Sequence, residues 1–273
     1  MSMTGGDCLS VQFIDQDLLP SCSLEVHYQI AQSKKHYQDI SAWLLCNRND
    51  VALQVHPCVI IQAILKLNKT CVWIQDFLPK LKDHVLGCLL DNNAGDLEVF
   101  TQLQRNALSF INNHIYQHRV LCVNYTTYDL RQAQDSLNPS THADIMLLLH
   151  EDIENPHPYW YARIVGIFHA DVQYCGPEVQ DPAPQHIDFL WVRWFAQHKN
   201  IKSGWAARRL PCVSFYLQGE SDAFSFVNPH DVIRGMHLIL AFHYGLTSEL
   251  LPPSIARWES NNDKDWDWYY VNM

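Results

Sequence analysis

The chain lacks most of the local patterns from which chemistry is read. None of its nine cysteines forms a Cys-x-x-Cys pair and the count is odd, so neither a disulfide framework nor a zinc ribbon is indicated. Its ten glycines stand alone apart from Gly5-Gly6, which excludes glycine-rich phosphate loops, and no Gly-x-Ser-x-Gly turn occurs. No Ser-His-Asp or Cys-His arrangement can be assigned. The fifteen histidines are dispersed. His114 and His118 have the i, i+4 spacing of helical metal ligands, but their surroundings read as strand and turn, and no glutamate follows His114 to complete His-Glu-x-x-His. No enzymatic activity, metal or cofactor is therefore expected. Internal repeats and low-complexity tracts are missing too. The N-terminus carries acidic residues and no basic region before an apolar run, so no secretory or transit peptide is read, and an intracellular protein without a membrane partner is expected.

Charge of one sign is also scarce. Lysine and arginine number 19 against 29 acidic residues, a formal charge of −10. An acidic surface repels phosphate backbones and attracts basic partners, so direct DNA binding is less favoured than binding of a protein.

What the chain has is aromatic and β-branched runs. HPYWYARIVGIFHADVQY from His157 and HIDFLWVRWF up to Phe195 flank a Pro- and Gly-bearing connection from Cys175 to Gln185, and they read as two paired strands. Further strands are expected over Ile115–Tyr128, after an Asn112-Asn113 turn, and over Ala143–Leu149, Arg209–Leu217 and the apolar run that follows Asn228-Pro229. Upstream, Leu24–Leu45 fits one or two short amphipathic helices, Asp76–Leu90 a helix with Pro79 in its first turn, and Glu98–Arg105 a short helix. The reading is an α+β protein: a flexible tail over 1–20, a mainly helical region over 21–110, a small, mostly antiparallel β-barrel over 111–258, and a C-terminal tail over 259–273 that stops in an aromatic run. Carboxylates in that tail, DKDWDW, read as a solvated edge.

Tyr159, Trp160, Tyr161, Trp191, Trp194 and Trp205 either line a cage for a methylated ammonium or fill a core. Periodicity does not choose, because strands apolar on both faces hide their alternation. Arg163, Arg193, Arg208 and Arg209 are candidates to hold carboxylates or phosphates.

NYTTYD at Asn124–Asp129, QDSLNP at Gln134–Pro139, THADIM at Thr141–Met146, HPYWYARIVGIFH at His157–His169, FLWVRWF at Phe189–Phe195, GWAARRL at Gly204–Leu210, the run Asn228–Leu240 and LLPPSIAR at Leu250–Arg257, in this order, resemble the C-terminal region of large proteins encoded by fungal transposons of the Plavaka and KDZ type. The resemblance extends back through HYQIAQS at His27–Ser33 and DFLPKLKDH at Asp76–His84. Such proteins carry their nuclease core upstream of this region, so the resemblance implies a detached C-terminal segment without transposase chemistry. PYWYARIVGIF, FLWVRWF and DVIRGMHLI are also similar to a bromo-adjacent-homology domain, a β-barrel of chromatin proteins. That similarity implies a nuclear interaction module whose partner is a protein, a histone tail or nucleosome among them. The alternatives are a DNA-end-binding or assembly segment of a transposase and an inactive remnant. One stretch departs from the family pattern: Val55–Gln75 holds no acidic residue and reads either as a retained intron or as a buried apolar helix or strand pair.

Overall fold

The computed structural model describes residues 27–30, 37–39, 77–90, 100–127, 132–148, 159–176, 182–198, 203–204, 207–217, 220, 223–251 and 264–272. The suspected insertion at 55–75, the tail over 1–20 and Trp205 lie outside them. Two long strands form the spine, β8 (Tyr159–Tyr174) and β9 (Gln185–Gln197), antiparallel and in register from Tyr161 opposite Phe195 to Val172 opposite Gln185. The paired strands expected from the aromatic runs are there.

Each spine strand is long enough to serve several neighbours. Along its outer edge β8 pairs with β7 (Asp144–Leu148), then β4 (His114–His118), then β3 (Leu108–Phe110). The outer edge of β9 pairs with β11 (Phe224–Val227) and β10 (Cys212–Phe215). With β2 (Tyr37–Asp39), β12 (Val232–Gly235), β13 (His237–Leu240) and β16 (Tyr269–Asn272), these make an eleven-stranded, antiparallel, barrel-like sheet. A three-stranded sheet of β1 (Tyr28–Ile30), β5 (Leu121–Thr126) and β6 (Gln132–Leu137) lies against β12, and β14 (Leu246–Thr247) pairs with β15 (Asp265–Trp266).

Expectations change at both ends of the chain. Within Leu24–Leu45 the described segments are β1 and β2, strands rather than helices, because each finds an edge to pair with, Tyr28 opposite Val123 and Tyr37 opposite Tyr116. Tertiary pairing overrides a weak helical period. The C-terminal run is not a solvated edge either. β16 is inserted between β10 and β13, and Asp265 is fully buried.

Helices α1 (Phe77–Leu89) and α2 (Gln102–Ala107) occupy the expected places. Pro79 sits in the first turn of α1, where no intrahelical N–H is required. Leu78, Leu81, Val85 and Leu86 form its buried stripe and close a core with Phe168, Phe189, Trp191, Phe224 and Phe226. Thr101 and Gln104 build a capping box at the start of α2, and Arg105 forks onto Asp83 at 2.6 and 2.7 Å, tying α2 to α1. Asn112 and Asn113 take φ of 55° and 54°, but the hairpin turn expected there does not form: β3 and β4 pair one after the other, in the same direction, with β8, so the two asparagines make a kink in one edge rather than a reversal.

A bulge between Ile164 and Gly166 shifts the alternation of β8. One face of the spine thereby presents Tyr161 and Arg163 together with Phe168, Ala170 and Val172; the other presents Ala162, Ile164, Ile167 and His169. At Gly166 a Cβ would meet the Phe168 ring at 2.4 Å, so the bulge needs a residue without a side chain.

Candidate functional site

The face that carries Arg163 and Arg193 is closed. Arg163 and Arg193 stand directly opposite each other across the spine. Two guanidiniums in such a position repel unless each is neutralised. Arg163 donates through Nε and Nη2 to the Asp144 carboxylate at 2.6 and 3.0 Å, and Arg193 donates through Nη1 and Nη2 to Asp265 Oδ2, both at 3.1 Å. The Phe215 ring lies under both, with Arg193 Cζ 3.6 Å and Arg163 Cζ 5.0 Å from its centroid. Burial, the largest single influence, works against the Arg163 charge, but Asp144 together with Tyr269 and Asp265 outweighs it and its pKa is raised. Both arginines hold carboxylates of this chain, and both are buried, at 3% and 0% exposure.

The aromatic set is divided by the pleat. Tyr161 is 1% exposed and Trp191 is fully buried, so both are core. Trp191 packs on Phe77 and Phe226 at ring distances of 4.9 and 4.5 Å. Tyr159 is half-buried beside Phe195 and Phe215. Trp160 and Trp194 lie on the opposite face, edge to face at 5.2 Å and 86°. Trp160 is 44% exposed, while Trp194 is half-buried and donates from Nε1 to Ser225 Oγ at 2.6 Å. Arg208 (φ 52°) and Arg209 are exposed on a turn closed by backbone hydrogen bonds between Gly204 and Arg209, just ahead of β10. A six-membered cage does not assemble; one accessible ring pair does.

The sequence reading did not group a second constellation, at the other end of the same face. His169 on β8 stands opposite Asp188 on β9, and Asp171 opposite His186. Each strand contributes a His-x-Asp triplet, His169-Ala170-Asp171 and His186-Ile187-Asp188, and the antiparallel register sets each histidine against the other strand's aspartate. His186 Nδ1 lies 3.0 Å from Asp171 Oδ1, and its Nε2 lies 3.3 Å from Asp188 Oδ1. Tyr28 donates its hydroxyl to Asp188 Oδ2 at 3.0 Å, and His118 Nε2 meets His169 Nδ1 at 2.6 Å. The Tyr116 ring stacks on His169 at 4.5 Å and 13°. His118 and His169 are 3% exposed, whereas the His186 side chain keeps 41%. Burial, with His186 and His118 nearby, holds the His169 imidazole down at about 4. Burial and the Asp188 carboxylate push the Tyr28 hydroxyl above its usual range. His169, His186 and Asp188 bring one donor atom each to within 4.8 Å of one another.

No protein-family model matches the chain, and no curated protein or solved structure matches it. No helix among the described residues is long and apolar enough to cross a membrane.

Proposed function

We propose that the protein is a non-enzymatic interaction module, derived from the C-terminal region of a Plavaka- or KDZ-type transposon protein, whose barrel is of the bromo-adjacent-homology kind and binds a basic protein segment such as a histone tail in the nucleus. The observation that carries this reading is the exposed Trp160 ring set edge-on to Trp194. A tryptophan face attracts a lysine ammonium, and most strongly a methylated one that water solvates poorly. Charge favours the same partner. The connection that leads into Trp160 carries Glu151, Asp152 and Glu154, and the connection between β10 and β11 carries Glu220 and Asp222. That second connection is tied to Trp194 by its backbone, with Trp194 N donating to Ala223 O at 3.0 Å and Tyr216 N to Trp194 O at 3.2 Å. Acidic residues close to Trp160 in sequence and on the connection that Trp194 bonds, in a chain of formal charge −10, suit a cationic peptide and repel a phosphate backbone.

The test uses the full chain, because α1 and β16 complete the cores on which the barrel rests. Lysine-rich peptides with and without trimethyl-lysine, nucleosomes, and naked DNA are titrated in parallel near physiological salt. The expected result is saturable binding of the methylated peptide and of nucleosomes, weakened about tenfold by Trp160→Ala, in line with about 1–2 kcal/mol for a desolvated cation–π contact, with an unchanged far-UV spectrum. Binding to DNA alone, falling steeply with salt, would instead support a DNA-end-binding segment.

A further inference from the structure

Beyond peptide binding, the geometry points to a mononuclear site for a divalent first-row transition-metal ion between β8 and β9, held by His169, His186 and Asp188. Three features carry this. Each of the three residues has its second polar atom engaged elsewhere. His186 Nδ1 is taken by Asp171, Asp188 Oδ2 by the Tyr28 hydroxyl, and His169 Nδ1 by His118. What remains are His186 Nε2, Asp188 Oδ1 and His169 Nε2. Carboxylate and imidazole partners on the far atom of each ligand are the outer shell that orients metal-binding side chains and fixes their tautomers.

The second feature is the spacing of the ring nitrogen and the carboxylate. His186 lies between two carboxylates, with Nδ1 3.0 Å from Asp171 Oδ1 and Nε2 3.3 Å from Asp188 Oδ1. Ligands of a tetrahedral zinc, bonded at about 2.0–2.1 Å, lie about 3.3–3.4 Å apart, so this pair already has the separation of one edge of such a site. The third feature is access. His169 is buried while His186 is open to solvent, so an ion can enter from the His186 side and keep a water as its fourth ligand.

Two imidazoles and one carboxylate are borderline-soft donors that suit Zn²⁺ better than Mg²⁺ or Ca²⁺, which prefer all-oxygen sets. The ion would brace the two spine strands where β1, through Tyr28, and β4, through Tyr116 and His118, lean on them. It would stabilise the folded chain according to its concentration relative to the dissociation constant.

The experiment uses the full, untagged chain stripped with a chelator and titrated with Zn²⁺ by calorimetry and with Co²⁺ by visible absorption. One equivalent per chain is expected, with a cobalt spectrum of low-coordinate nitrogen–oxygen type and a higher melting temperature in excess Zn²⁺. His186→Ala, at an exposed position, is expected to fold and to lose affinity at least 100-fold, and Asp171→Asn about 10- to 100-fold through the outer shell. No saturable binding by the parent chain would overturn the site. Full retention of the equivalent by a folded His186→Ala variant would also overturn it, since the ion would then sit among other histidines.

Discussion

The two polar constellations on the β8–β9 spine are built from the same two strands and differ in how they close. On one face Arg163 and Arg193 are buried, and each guanidinium already has its carboxylate and an aromatic ring beneath it. On the other, His169, His186 and Asp188 bring one donor atom each to within 4.8 Å of one another, with His186 Nδ1, Asp188 Oδ2 and His169 Nδ1 held by other side chains and the His169 and His186 rings 4.4 Å apart at 38°. Charge neutralised from within marks a structural element, and the half-open donor cluster is where we place the proposed ion. The comparison also shows why titratable residues on a strand are judged by face. Arg163 and His169 are six positions apart on β8, yet the bulge between Ile164 and Gly166 sends them to opposite sides.

The comparison breaks most visibly at the closed side. Asp265→Asn leaves Arg193 buried without its counter-charge, and removing one partner of a buried pair costs about 3–5 kcal/mol. A fall of that size in urea unfolding free energy is expected, although Asp265 lies in a C-terminal run that the sequence alone assigns to solvent. A change within about 0.5 kcal/mol, the ordinary range for a surface substitution, would mean that the arginine face is open and that the contrast is wrong.

A half-buried histidine allows a sharper version. His84 on α1 packs against the Phe226 ring at 5.9 Å, and burial holds its imidazole down at about 4. The unfolded chain takes up this proton near pH 6.5 and the folded chain only near 4, so the unfolded state binds more protons throughout that window. Stability from this group is therefore fully present above pH 6.5 and declines as pH falls toward 4, by an amount on the order of 2–3 kcal/mol. His84→Gln is expected to flatten the pH dependence of the unfolding midpoint between pH 6.5 and 4. An unchanged slope would assign the titration to other groups.

A smaller effect tests the hinge between the faces. Gly166→Ala drives a methyl group into the Phe168 ring, and overpacking of this kind costs about 1–3 kcal/mol. Thermal melting measures it. No loss would mean that the ring swings aside and that the bulge does not fix the parity of β8.

Much of this fold is legible in the sequence. The aromatic runs give the spine, the helices Phe77–Leu89 and Gln102–Ala107 fall within the stretches read as helical, and the apolar run after Asn228-Pro229 yields β12 and β13. The failures have physical causes. The strands at Tyr28 and Tyr37 are three residues long and exist through their partners β5 and β4, which local propensity does not record. The aromatic cage dissolves because both spine faces are apolar, so alternation could not separate Trp191 and Tyr161 from Trp160 and Trp194. The histidine cluster draws on residues from Tyr28 to Asp188 that only register brings together. One signal was present: two His-x-Asp triplets on strands already read as paired, which an antiparallel register can set histidine against aspartate.

The open side yields the least change in stability and the most informative one. His186 is the exposed member of its cluster, so His186→Ala removes little buried surface. In metal-free buffer the variant loses the partly exposed contacts to Asp171 and Asp188, and the net change in unfolding free energy is expected to stay within about 1 kcal/mol, the range of surface ion pairs. Asp265→Asn, on the same spine, is expected to cost several times more. Denaturation of both variants in chelator measures the ratio. A large loss for His186→Ala without metal would show that its hydrogen bonds hold the strands together as the arginine pairs do, and the two faces would then differ in exposure but not in kind.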